Sequence, residues 1–153
     1  MSAAPRTFEV SATRRIDAAA EAVYAVFADY RVAHPSILPP RFFAGLSVEA
    51  GGYGAGTIVL VEGRFAGRTR VIRGIVTEPE PGRLLVESYP EERMVTSFHI
   101  VPVGSARSDV TISTVLPRRW GLLGWMQERV VRRLLSGVFA EELELVAAYL
   151  ARA

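Results

Sequence analysis

The chain has no cysteine, no lysine and only two histidines among its 153 residues. Without cysteine there is no disulfide, no thiolate zinc site and no thiol nucleophile. His34 and His99 stand far apart, and no His-x-x-x-His spacing exists, so a metal centre would have to rest on carboxylates. No glycine-flanked serine elbow supports a hydrolase triad either. No metal or nucleotide cofactor is expected. No apolar run approaches the roughly 20 residues of a membrane span. The opening MSAAPRTFEV lacks the apolar centre of a secretory signal, so a cytoplasmic protein without stable membrane insertion is expected.

All 18 positive residues are arginine, set against 16 acidic ones. Arginine without lysine points to codon usage rather than to an anionic partner. The charges are scattered and lack the interleaved aromatics of a nucleic-acid surface, so no nucleic acid is expected as a partner. Half the residues are apolar and 22% are charged, the proportions of a globular domain. At this length the simplest organisation is a single domain spanning 1–153.

Residues 51–57 read GGYGAGT, four glycines in seven positions. A phosphate-binding loop would need a helix immediately afterwards. The stretch from Thr57 onward is instead TIVLVEGRF, rich in β-branched residues, which reads as a strand. The run is therefore a turn feeding a strand. Upstream, TFEVSATRRI alternates as a strand over 7–16. Asp17 is a candidate N-cap for AAAEAVYAVFADY, whose Val23, Val26, Phe27 and Tyr30 share one helical face. Pro35, Pro39 and Pro40 limit that helical region. Strands are expected over 44–50, 57–65, 68–78, 83–89, 94–102 and 108–116, joined by short turns, hence an antiparallel meander. After Pro117 a long helix is expected, with Val131, Leu135, Val138, Leu145, Val146 and Tyr149 on a broad apolar face. The class is α+β, with helices packed on one face of an antiparallel sheet.

Five pieces in this order resemble the START-like helix-grip superfamily, also called the Bet v 1-like, SRPBCC or polyketide cyclase/dehydrase and lipid-transport group. They are the opening strand running into IDAAAEAVYAVFADY, the GGYGAGT turn, the VTEPEPGRLLVES hairpin, the FHIVP strand end followed by DVTIS, and the long closing helix. The resemblance implies a curved seven-stranded antiparallel sheet wrapped around the C-terminal helix, with an apolar cavity between them. It implies a small hydrophobic ligand, and catalysis in a minority of members. In that setting GGYGAGT would form a rim of the cavity, with Gly54 and Gly56 adopting conformations that other residues resist.

Glu142 falls near the centre of the apolar helical face, where an unpaired carboxylate is costly. It would be a cavity acid that meets a ligand hydroxyl or moves a proton, or else a structural partner of a sheet arginine. Arg70, Arg64 and Glu62 would point toward it if even-numbered positions of the third and fourth strands face the helix, and outward otherwise. Thr96 and Thr114 share faces with apolar neighbours, as polar points in a greasy pocket or as ordinary strand residues. Tyr24, Tyr30, Tyr53, Tyr89 and Tyr149 offer phenols. His34 would line an entrance and His99 would face outward. The arginine-rich stretch around Trp120 and Trp125 would touch an anionic membrane transiently, or form a solvated helix start with a Glu128–Arg132 pair.

The resulting expectation is a protein that binds or transports a small lipid- or polyketide-like molecule. Leu135, Val138, Tyr149, Phe98, Ile100 and Ile112 would form the lining, with Glu142, Thr96, Thr114 and Arg70 as polar contacts. The alternative is a cyclase or dehydratase in which Glu142 is the catalytic acid or base.

Overall fold

Period-two alternation in the strands and helical periodicity in the last segment decide the architecture. The computed structural model of the chain describes residues 4–153. The elements are β1 (Thr7–Ile16), α1 (Ala20–Ala28), α2 (Ala33–Ile37), β2 (Phe43–Ala50), β3 (Ile58–Phe65), β4 (Arg68–Glu80), β5 (Leu84–Tyr89), β6 (Met94–Pro102), β7 (Ser108–Pro117) and α3 (Gly121–Ala151). The strands form one antiparallel sheet in the order β1-β7-β6-β5-β4-β3-β2, so the helical excursion after β1 carries the chain to the opposite edge. At 1.5 Å per residue, the 31 residues of α3 span about 46 Å. This is the helix-grip arrangement of a seven-stranded sheet with a long C-terminal helix.

Cross-strand register places the inward residues in rows. Phe98 lies opposite Ile112 and Leu85, and Ile100 lies opposite Val110. These residues join Val23 and Phe27 of α1 and Leu143 and Val146 of α3 in one buried cluster. Phe27 stacks on Phe98 with ring centroids 4.7 Å apart. Each fully buried side chain of this kind contributes about 1.5–3 kcal/mol.

The approach to α1 differs from expectation. Its N-cap is Ala19, without a side-chain cap. Asp17 is exposed and pairs with Arg107 at 3.2 Å. Beyond α1, the Asp29 carboxylate accepts the backbone N–H groups of Arg31, Val32 and Ala33, which turns the chain into α2. Pro35 fits in the first turn of α2, where its missing N–H leaves no bond unmade.

The glycine run does something other than rim the cavity, and none of its residues lines it. Gly51, Gly52, Gly54 and Gly56 all have positive φ, from 62° to 140°. The loop clasps the end of α1. Gly52 C=O accepts the Tyr30 N–H at 3.0 Å, and Gly54 N–H donates to Ala28 C=O at 2.9 Å. Thr57 Oγ1, fully buried, accepts the Gly52 N–H at 3.0 Å. A Cβ on Gly54 would lie 2.7 Å from Glu78 Oε2, which already holds the Ala55 N–H. The loop thus sets the position of Tyr30.

Candidate functional site

A cavity of about 140 Å³ lies between the sheet and α3. Half-buried apolar side chains, among them Leu38, Phe43, Leu46, Ile72 and Met94, surround its outer end. Its inner end is buried and polar. The register explains why: Thr114 of β7 lies opposite Thr96 of β6, which lies opposite Glu87 of β5. Three neighbouring strands thereby place a polar residue in the same row of an otherwise apolar face. Thr96 and Thr114 satisfy each other through an Oγ1–Oγ1 hydrogen bond of 2.8 Å.

Glu87 is the centre of a buried network. The Tyr30 and Tyr89 hydroxyls donate to its two carboxyl oxygens, each at 2.7 Å. Burial, and then the charge of Glu87, push both phenols well above their usual range. His34, 2% exposed, lies against the same carboxyl with Nε2 3.8 Å from Glu87 Oε1. Its Nδ1 is 2.6 Å from the Phe27 carbonyl oxygen. A carbonyl only accepts, so the Nδ1 hydrogen is fixed there. The imidazole is clamped further by stacking on Tyr30 at 4.6 Å and meeting Phe98 edge-on at 5.5 Å.

Glu142 comes from α3. It is 3% exposed, and its Oε1 has no hydrogen-bond partner among the described residues. Burial, reinforced by the neighbouring charge of Glu87, raises its pKa well above the carboxyl range. Burial thus favours the protonated form of Glu142, which has a hydroxyl to donate. Two carboxyl groups thus stand in one cavity with opposite tasks: Glu87 accepts from two phenols, and Glu142 has a proton to give.

Of the residues expected at the site, the structure brings Glu142, Leu135, Val138, Phe98, Thr96 and Thr114 to the cavity wall. Ile100 and Ile112 are fully buried in the core behind it, and Tyr149 lies half-buried away from it. Arg70 is a correction: its side chain is 74% exposed and lies 3.7 Å from Glu92. In β4 the even positions Ile72, Gly74 and Val76 do face inward, but Arg70 lies at the strand's outer end, past the cavity. In β3 the parity is reversed, because Val61 pairs with Ile72, so Glu62 and Arg64 point outward. Glu87 and His34 are the additions. Alternation within LLVESY puts Glu87 on the face of Leu85 and Tyr89, a pattern that was available to identify it. His34 depends on the Asp29-capped turn, which periodicity does not reveal.

Gly74 gives the Tyr89 ring its place. A Cβ there would lie 2.7 Å from the ring and 3.1 Å from Val59. Gly74→Ala is expected to displace the phenol from Glu87 and cost about 1–3 kcal/mol through overpacking. Thermal unfolding checks the loss, and the near-ultraviolet tyrosine signal checks the displacement.

A family model described as polyketide cyclase / dehydrase and lipid transport matches residues 7–151. No curated protein matches the chain. Solved structures are similar throughout. The KanY protein, solved by NMR, superposes with a TM-score of 0.81 at 24% identity, covering 94% of this chain and 97% of that one. A START superfamily protein from Mycobacterium smegmatis gives 0.75 at 16% identity, covering 94% and 97%. Norcoclaurine synthase from Thalictrum flavum, a point mutant in complex with a transition-state analogue, gives 0.72 at 17% identity, covering 99% and 98%. At these identities the structures speak for the fold alone, whereas the family model spans nearly the whole chain. The chain belongs to the polyketide cyclase / dehydrase and lipid transport family.

Proposed function

We propose that the protein binds a small, largely apolar molecule of lipid or polyketide type, with one polar group directed at Glu142. The carrying observation is the buried Glu142 carboxyl, whose Oε1 has no partner among the described residues, on the wall of a largely apolar cavity. A buried polar group without a partner costs free energy, and a ligand hydroxyl or carbonyl would relieve that cost. Size narrows the class. A cavity of about 150 Å³ holds one benzene ring, so the space here takes a single ring or an equivalent short branched group. A longer ligand would extend past the half-buried side chains at the outer end.

Native mass spectrometry of the purified protein, followed by organic extraction of any adduct, tests this reading. A stoichiometric hydrophobic adduct, lost or weakened at least tenfold in Glu142→Leu, is the expected result. If adduct or added ligand binds Glu142→Leu as tightly as the wild type, the assignment of Glu142 fails.

The pairing of two carboxyl groups in opposed environments, beside the oriented His34, supports a second reading as a cyclase or dehydratase. In a dehydration, Glu142 would protonate the departing hydroxyl, which leaves as water. His34 Nε2 would take the proton from the adjacent carbon as the double bond forms. Glu142→Gln separates the readings, since the amide keeps a donor but has no proton to deliver. A carrier retains most of its affinity in this variant, whereas an enzyme loses turnover by about 10²–10⁴-fold.

A further inference from the structure

The first three turns of α3 form a surface that the cavity does not use. Six of the twelve exposed large apolar side chains of the described residues lie here: Trp120, Leu122, Leu123, Trp125, Met126 and Val130, each between 51% and 82% exposed. Leu122, Met126 and Val130 recur every four residues along the outer side of the helix. Arg129 and Arg133 share that outer side, while Gly124, Val131 and Leu135 turn inward.

The charge of this stretch is one-sided. Residues 118–140 carry Arg118, Arg119, Arg129, Arg132 and Arg133 against the single acid Glu128, a formal +4, whereas the whole chain has only +2. Glu128 is occupied by Arg118 and Arg132, each at 2.9 Å. Arg119, Arg129 and Arg133 take part in no ion pair among the described residues. The indoles are bracketed by cations as well. Arg6 lies 3.8 Å from the Trp120 ring centroid and Arg129 lies 5.0 Å from that of Trp125.

We propose that this outer face of α3 is a docking surface for an anionic lipid bilayer, on which the helix lies flat. Charge complementarity argues for the occupant: the face is arginine-rich, with its single acid already paired. Geometry argues for a plane, because the apolar side chains follow one line along the helix, and Arg129 and Arg133, which hold no ion pair among the described residues, lie on the same side with heads able to reach phosphates. The surface is separate from the cavity, so its assignment does not depend on the ligand.

The protein carries its own probe, since Trp120 and Trp125 are its only tryptophans. Tryptophan emission should shift to shorter wavelength on phosphatidylcholine vesicles containing phosphatidylglycerol, and high salt should weaken the response. Neutral phosphatidylcholine vesicles should leave the emission unchanged. Co-sedimentation should show Arg129→Ala/Arg133→Ala binding about 25-fold more weakly, at about fivefold per arginine. Leu122→Ser/Met126→Ser should lose the spectral shift. These positions are exposed, and unchanged far-ultraviolet circular dichroism would show that the variants fold. An unshifted emission with anionic vesicles overturns the proposal, as does equal binding to neutral vesicles. A protein that dimerises through this face and ignores vesicles overturns it in favour of a second copy.

Discussion

Glu87→Leu is expected to be the most destabilising single substitution at the cavity. It strips the shared acceptor from two buried phenols, Tyr30 and Tyr89, in one step. Each hydroxyl left without a partner costs about 1–3 kcal/mol, so the pair costs about 2–6 kcal/mol. Against a total stability of about 5–15 kcal/mol, that is a large fraction. At about 2–4 °C per kcal/mol for a domain of this size, the melting temperature should fall on the order of 10 °C. Glu87→Gln retains an acceptor oxygen for one phenol and should lose less than half as much. A Glu87→Leu protein that melts with the wild type would show that the phenols find other partners.

The second large effect concerns pH. Glu142 has a folded pKa well above the ordinary carboxyl value of 4.5, so above that pH the folded chain keeps a proton that the unfolded chain has released. Stability is therefore greatest below about pH 4.5 with respect to this group. It declines by up to about 1.4 kcal/mol per pH unit as pH rises, until the folded carboxyl itself ionises. Glu142→Gln removes this slope. The variant should gain on the wild type as pH rises above 5, and should melt higher at pH 8. Melting curves that run parallel across that range would mean that Glu142 is ionised in the fold. Glu87, Tyr30 and Tyr89 interact electrostatically with Glu142, so the comparison reads the carboxyl together with its coupling to them.

The seven strands and the closing helix were legible because each element writes its period into the sequence. Glu142 was legible for the same reason, since Leu135, Val138 and Val146 fix its helical face. Glu87 carried an equally plain parity between Leu85 and Tyr89, but on a strand a charge reads as solvent-facing by default. His34 was legible only as a residue near an entrance. Its burial depends on the local Asp29-capped turn together with the glycine clasp on α1, which is distant in sequence, and hydrophobic periodicity announces neither. Arg70 shows the converse: its parity was right for β4, yet the strand runs beyond the cavity before reaching it.

The polar row across β5, β6 and β7 has a consequence for how the sheet finds its pairing. Alternation of apolar and polar residues rejects a slip of one position, because every side chain would change faces, but it is blind to a slip of two. With Thr114 slid opposite Phe98 or Met94, its hydroxyl would lose Thr96, and Glu87 would likewise lie against Phe98 or Met94 instead of Thr96. The same side chains that equip the cavity therefore discriminate against misaligned sheets that hydrophobicity alone would accept. A cavity relined with purely aliphatic residues would give up that protection along with its chemistry.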